Sequence, residues 1–142
     1  MKIEKRIDIW VQQAAHDLEA AEKNLRMSIY DYCLIGCEQA VEKILKAFYL
    51  KITGKEPPHI HVLEELVEKV DLQNELADLI VELDDYYFLV RYPGFSDEVP
   101  YQQCSEEDAK SGLEKTKKIF NIIQQKLKAT EQEEEQNEPK QS

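Results

Sequence analysis

The chain has 142 residues, of which 18 are basic and 29 acidic, so that its formal net charge is −11. This length is typical of one domain with one hydrophobic core. The charge excludes a surface that binds RNA or DNA over its whole area, because such surfaces are strongly basic, and leaves only local contacts. Hydrophobic residues make up 42% of the chain, with four glycines and five prolines, which argues against a loop-rich β-sandwich.

The first segment has the apolar period of an amphipathic helix. Its apolar residues follow one another at intervals of three or four positions, at Ile3, Ile7, Trp10, Ala14, Leu18, Ala21 and Leu25. Such spacing lines one face of a helix. We therefore predict a first helix over about residues 5–27.

A second helix is predicted over about residues 30–53, with Ser28 or Asp31 as its start signal and Gly54 as its stop. Its polar side carries Gln39, Glu42, Lys43 and Lys46. Two interpretations of this stripe stay open. The lysines could bind phosphates, or the stripe could form a buried or interfacial polar network that fixes the register of a dimer.

The remaining helices are predicted over about residues 62–70, 72–90 and 106–129. Asp71 is the expected cap of the second of these, and Ser105 with the acids that follow it is the expected start of the last. No strand is predicted. The sequence therefore favours an all-α fold, an antiparallel up-and-down four-helix bundle with an additional short helix.

The segment 91–104 contains two prolines and a glycine and is predicted to be a loop. Arg91 opens it and is followed by Tyr92. An arginine can bind a phosphate through two parallel hydrogen bonds, and a tyrosine can stack on a base. The alternative is that Arg91 pairs with an acid such as Asp84 or Asp85 and ties the loop down.

Acidic residues are concentrated at the carboxyl end. Residues 131–142 contain five glutamates and one lysine, a net charge of −4, which leaves −7 for residues 1–130. A charged run without aromatic residues is typical of disorder. We predict a helical domain over residues 1–130 and a disordered acidic tail over residues 131–142, with a partner-docking arm as the alternative role of the tail.

The cysteines and histidines suggest no metal site or disulfide framework. Cys33, Cys37 and Cys104 are odd in number and are expected to be buried thiols. His59 and His61 form an isolated pair without a third ligand nearby in sequence. No apolar stretch is long enough to span a membrane and the amino-terminal residues do not resemble a signal peptide, so we expect a cytoplasmic protein without a metal or cofactor.

Together these features resemble the HEPN domain family, from about Trp10 to Leu127. The most specific parts of the resemblance are the block from Gln39 to Ala47 and the turn Arg91–Tyr92–Pro93. Weaker support comes from Gly54, the prolines Pro57 and Pro58, the stretch from His61 to Leu66, and five residues of the first helix: Trp10, Ala14, Asp17, Leu18 and Ala21.

The resemblance implies a helical bundle that is usually a homodimer and often works beside a minimal nucleotidyltransferase, in a toxin–antitoxin-like pair. Many members are metal-independent RNases, in which an arginine is followed after four to six residues by a histidine, near the start of the last long helix. In this chain the corresponding positions after Arg91 hold Ser96, Asp97 and Glu98. The RNase motif is therefore absent, although His61 could replace its histidine in space.

We therefore expect a non-catalytic homodimer that binds a nucleotide, a minimal nucleotidyltransferase, or both, with RNA bound only locally. The candidate nucleotide- and phosphate-binding residues are Arg91, Tyr92, His61, Lys43 and Lys46. The alternatives are a metal-independent RNase with a variant active site and an interaction scaffold. No catalytic residue is assigned.

Overall fold

A computed structural model describes residues 2–94 and 96–137, without the side chains of Tyr87, Phe88 and residues 131–137. Its helices are α1 (Ile3–Arg26), α2 (Tyr30–Thr53), α3 (Leu63–Lys69), α4 (Gln73–Leu89) and α5 (Glu106–Asn137). A short 3₁₀ turn, Pro100–Gln103, lies within the predicted loop. The described residues contain no strand, which confirms the predicted all-α helical fold.

Helix α2 lies at the centre of the molecule and packs against each of the other four helices. Thirteen of its side chains are buried, and three of these are charged: Glu38, Glu42 and Lys46. A helix with apolar residues around most of its circumference is stable only when it is enclosed. These three charged residues of α2 are therefore buried together with the apolar ones.

Helices α1 and α2 approach each other closely where small residues meet. A Cβ added at Gly36 would lie 3.0 Å from the Cβ of Ala21 and 3.2 Å from the carbonyl oxygen of Asp17. Only a residue without a side chain fits there without moving one of the helices. This crossing holds Asp17 of α1 close to the polar residues of α2.

Two of the predicted helix ends are confirmed. Gly54 ends α2 in the left-handed conformation, with φ of 68°, which glycine adopts without steric cost. Ser105 and Asp108 form a capping box at the start of α5. The Asp108 amide donates to the Ser105 hydroxyl and the Ser105 amide donates to the Asp108 carboxylate, both at 3.0 Å.

The predicted starts of α2 and α4 are displaced. The cap position of α2 is Ile29, rather than Ser28 or Asp31, and no side chain bonds to the helix end there. Helix α4 begins at Gln73, so that Asp71 lies before its cap, in a left-handed turn with φ of 58°. Short polar residues favour turns as well as caps, and here two of them serve the turns.

An aspartate from another helix caps α3. The carboxylate of Asp84 on α4 accepts hydrogen bonds from the amides of Leu63 at 2.7 Å and Glu64 at 2.9 Å. These amides have no partner within α3, and the negative charge is favourable at the positive end of the helix dipole. The bond fixes the start of α3 on α4 and so places His61, two residues earlier.

Helix α5 continues to Asn137, into the segment for which composition predicts a disordered tail. Glutamate and glutamine have good helix propensity, and no proline occurs between Pro100 and Pro139. Residues 138–142 of the predicted tail lie outside the described residues. The high charge of this segment predicts that its side chains are exposed to water. Its helix propensity accounts for the helical backbone through Asn137.

The predicted burial of the three cysteines is confirmed. Cys33, Cys37 and Cys104 are free thiols and all are buried. None of the helices in the part of the chain that the structure describes is long and apolar enough to cross a membrane.

Candidate functional site

Polar side chains lie along one side of α2 and contact three other parts of the chain. We call them together the α2 network. One group of contacts joins Asp17, Lys43, Gln39, Glu38 and Arg91, and a second joins Glu42 to His61 and Lys46. Asp17 comes from α1, His61 from the segment before α3, and Arg91 from the turn after α4.

Arg91 pairs with Glu38. The arginine Nη2 donates to Glu38 Oε2 at 2.8 Å, and the Gln39 amide donates to the same oxygen at 3.1 Å. The predicted alternative, a pair between Arg91 and an acid, is therefore present. Its partner, however, is not Asp84 or Asp85 but a glutamate on α2. Asp84 instead binds the start of α3.

Glu38 is an unusual carboxylate because it is almost completely enclosed. It is 1% exposed, and its second oxygen, Oε1, is buried with no hydrogen-bond partner among the described residues. The pKa of Glu38 is raised to about 7, chiefly by burial and to a smaller extent by the charge of Glu42, while Gln39 and Arg91 act to lower it. Glu38 therefore changes its charge near neutral pH.

Glu42 binds His61 and lies close to Lys46. Its Oε1 is 2.6 Å from Nδ1 of His61, and its Oε2 is 3.9 Å from the Lys46 ammonium. Lys46 is 5% exposed and lies over the ring of Trp10, 5.9 Å from the centroid. A carboxylate in contact with one ring nitrogen holds the imidazole in a fixed orientation. The His61 side chain is more than half exposed, so this orientation is presented to solvent.

Lys43 connects α2 to α1. Its ammonium group donates to the carboxylate of Asp17 and, at 3.5 Å, to the amide oxygen of Gln39. Both charged partners are largely buried. Lys43 therefore belongs to the same network as Arg91, through Gln39 and Glu38.

The structure places the five predicted site residues in two settings. Arg91 and His61 are held by Glu38 and Glu42, which are one helical turn apart and so have Cβ atoms about 5–6 Å from each other. The Arg91 side chain is 22% exposed. Tyr92 follows it and is 48% exposed. Lys43 pairs with Asp17 of α1, and Lys46, which is buried, lies close to Glu42, the carboxylate that also contacts His61.

Three residues of this region were not singled out from the sequence as site residues: Glu38, Asp17 and Trp10. A signal for Glu38 existed, since it lies between apolar residues such as Cys37 and Ala40 and one helical turn before Glu42 of the polar stripe. A glutamate at such a position needs a cation as partner. The identity of that cation depends on the tertiary structure.

The charges of the α2 network are nearly balanced. Three carboxylates, from Asp17, Glu38 and Glu42, face three permanent cations, while His61 adds a positive charge only when protonated. An anionic ligand must therefore compete with a carboxylate of the protein for a cation. Within the described residues, no group of three or more His, Cys, Asp or Glu side chains could hold a metal ion.

Comparisons with known proteins agree on one family. The sequence profile of the HEPN domain matches residues 7–127. The fold is similar to the crystal structure of TT1696 from Thermus thermophilus, at 26% identity and a TM-score of 0.77, over 85% of this chain and 98% of that one. It is also similar to ST0689, an archaeal HEPN homologue, at 28% identity and a TM-score of 0.69, over 89% and 99%. A search of curated proteins found no match.

Proposed function

The chain belongs to the HEPN domain family, and on that premise we propose that it binds the phosphate group of a nucleotide at Arg91, Tyr92 and His61. One observation carries the proposal. Arg91 and His61 are both partly exposed and are both anchored on α2, by carboxylates one turn apart. Two potential phosphate ligands from distant parts of the chain thus lie over one short stretch of helix.

Each residue has a distinct role in this proposal. Arg91 donates to the phosphate oxygens, as guanidinium groups do in many phosphate sites. His61, oriented by Glu42, adds a second donor when it is protonated. Tyr92 stacks on the base. Lys43 is an additional cation, linked to Arg91 through Gln39 and Glu38, and Lys46 acts indirectly by compensating the charge of the buried Glu42.

Calorimetric titration with adenosine and guanosine mono-, di- and triphosphates tests the proposal. Arg91→Ala is expected to lower the affinity roughly tenfold to 100-fold, because a hydrogen bond to a charged group contributes about 1.5–3 kcal/mol. The matched control is Arg26→Ala, since Arg26 lies at the exposed end of α1. Wild-type affinity in the Arg91 variant would show that the site is elsewhere.

We also propose that the protein is a homodimer and that its partner is a minimal nucleotidyltransferase, in a toxin–antitoxin-like module. The support is membership of the family, in which both arrangements are common. Affinity capture from the native host, read by mass spectrometry, tests the partner, and sedimentation tests the dimer. Recovery of the chain alone would remove the two-component proposal.

The register-fixing role of the α2 stripe is a separate proposal. Lys43 binds Asp17 and Gln39 within one chain, which supports a role in joining α1 to α2. If the stripe also fixes a dimer, Lys43→Ala will dissociate the dimer in sedimentation while nucleotide binding is retained. A dimer that is unchanged in this variant would confine the role of Lys43 to the single chain.

A second candidate function is cleavage of RNA without a metal ion. It is favoured by the position of His61, which the structure brings to the turn of α2 next to the one that holds Arg91. In this reaction His61 accepts the proton of the RNA 2′-hydroxyl, the 2′-oxygen attacks phosphorus, and the 5′-oxygen leaves with a proton from solvent. Arg91 stabilises the charge on the phosphate in the transition state.

Incubation of single-stranded RNA with the protein and a chelator separates the two functions. Cleavage that ends in 2′,3′-cyclic phosphate and is lost in His61→Ala, but not in His59→Ala, would support the RNase. His59 is a matched control because it is exposed and two residues away. Intact RNA, together with measurable nucleotide binding, would leave binding as the function.

An interaction scaffold is the remaining proposal, with the acidic carboxyl end as the docking arm. Its support is the charge of residues 131–142 alone. Deletion of these residues is expected to abolish partner capture if the arm is used. Unchanged capture would eliminate this role.

A further inference from the structure

The carboxyl group of Glu38 has two oxygens in different environments. Oε2 accepts hydrogen bonds from Arg91 and Gln39, at 2.8 and 3.1 Å. Oε1 is buried and has no hydrogen-bond partner among the described residues. A charged carboxylate in this position is stabilised through one oxygen only, and the other remains desolvated.

A phosphate that binds Arg91 reduces the positive charge that stabilises the Glu38 carboxylate. The guanidinium would then share its charge between the phosphate and Glu38, and the two anions would lie on opposite sides of one cation. A buried carboxylate that loses part of its compensating charge is expected to take up a proton rather than remain ionised. Oε1 has no hydrogen bond to lose when it is protonated.

We propose that Glu38 competes with the bound phosphate for Arg91, and that ligand binding is accompanied by the uptake of one proton by Glu38. The inference rests on the proposed function, because it concerns the same arginine. It adds regulation to that site, since binding becomes weaker as the pH rises and Glu38 ionises.

The pKa of Glu38, raised to about 7, places this competition near neutral pH. The charged groups that act on Glu38 are Arg91, from the turn after α4, and Glu42, on α2 itself. Beyond them in the network lie Asp17 of α1 with Lys43, and His61 before α3 with Lys46. The described ion pairs of α5 with other helices involve Glu22, Glu75 and Glu82, and none includes Glu38.

The test uses the deoxydinucleotide dApA, whose phosphodiester does not titrate near neutral pH and cannot be cleaved by attack of a 2′-hydroxyl. Binding to the full chain is measured by calorimetry in two buffers of different ionisation enthalpy, at several pH values. The difference in heat between the buffers reports the number of protons taken up. This measurement needs only the wild-type protein.

The wild type is expected to take up about one proton above pH 7, and its affinity is expected to fall about tenfold per pH unit there. Glu38→Gln keeps an acceptor for Arg91 but removes the charge, so the proton uptake by Glu38 and the fall in affinity that it causes above pH 7 should be absent. His61→Gln tests whether the imidazole contributes to the proton uptake, and Glu114→Gln, on the exposed side of α5, is the matched control.

The outcomes are distinguishable. Binding of dApA by the wild type without proton uptake would overturn the inference and leave the proposed function standing. Proton uptake that persists in Glu38→Gln but disappears in His61→Gln would assign the linkage to His61 and also overturn it. Absence of dApA binding at every pH would overturn the inference, and absence of binding of the mono-, di- and triphosphate nucleotides as well would overturn both proposals.

Discussion

Two sets of ion pairs among the described residues differ in burial. On the outer faces of α1 and α5, pairs such as Lys23–Glu19 and Lys118–Glu114 join residues four positions apart, with both side chains exposed. In the α2 network, Arg91 and Glu38 are 53 positions apart, and Glu38 is almost completely buried. Exposed pairs of the first kind contribute about 0.3–0.5 kcal/mol each.

The difference indicates where this fold depends on a particular charge. An exposed carboxylate that loses its partner is solvated by water, so the loss has little effect on the stability of the fold. A buried carboxylate or ammonium that loses its partner stays in a medium of low dielectric constant. Each buried charge of the α2 network therefore depends on its own partner, and changes there affect the fold as well as ligand binding.

The largest effect is expected from Glu42→Leu. This change removes the carboxylate next to Lys46, which is 5% exposed, and leaves a buried ammonium group without compensation. Loss of one member of a buried pair typically costs about 3–5 kcal/mol. We expect that decrease in the free energy of unfolding, measured with urea. Glu114→Leu, which breaks an exposed pair, should change it by less than about 0.5 kcal/mol.

The next effect is a dependence of stability on pH. Because the pKa of Glu38 is raised from 4.5 to about 7 in the folded protein, the stabilising contribution of the protonated form is present below pH 4.5. As the pH rises the unfolded chain ionises first, so this contribution is lost progressively up to about pH 7. The predicted loss is about 3 kcal/mol.

Urea unfolding of the wild type and of Glu38→Gln over that pH range measures the contribution of Glu38 as the difference between the two curves. The curves should diverge as the pH rises from about 4.5 to 7 and run parallel above it. Parallel curves over the whole range would mean that Glu38 titrates at the same pH in the folded and unfolded chains.

The smallest effect concerns a local contact. Ser105→Ala removes the hydroxyl that accepts a hydrogen bond from the Asp108 amide at 3.0 Å. Loss of such a cap typically costs about 1 kcal/mol. The free energy of unfolding should decrease by that amount with no change in nucleotide affinity. A change in affinity in this variant would show that the start of α5 is coupled to the site.

Much of the fold could be predicted because its signals are local. Spacing of apolar residues located the helices, since a helix face depends only on positions three and four apart. Gly54 and Ser105 marked helix ends because their backbone and side-chain chemistry acts within one turn. Asp71 and Ser28 were misleading because short polar residues are equally suited to turns, which both adopt with positive φ.

The candidate site was predicted in part. Arg91 was identified by its position at the start of a long loop, and the polar stripe of α2 by its period. For the alternative in which Arg91 pairs with an acid, the sequence suggests a neighbour such as Asp84 or Asp85, since nearness along the chain is the available guide. In the folded protein Asp84 is bound to the start of α3, and Arg91 reaches Glu38 instead.

Residue pattern alone was thus sufficient for the helical class, for most element boundaries to within a few residues, and for the likeness to the HEPN family. The pairing of charges depended on the packing of α2 at the centre of the molecule. Enclosure by four other helices raises the pKa of Glu38. It also brings Arg91 and His61 into contact with carboxylates on adjacent turns of α2. Burial arises from contacts between distant segments, and so it follows from the assembled fold rather than from any short stretch of chain.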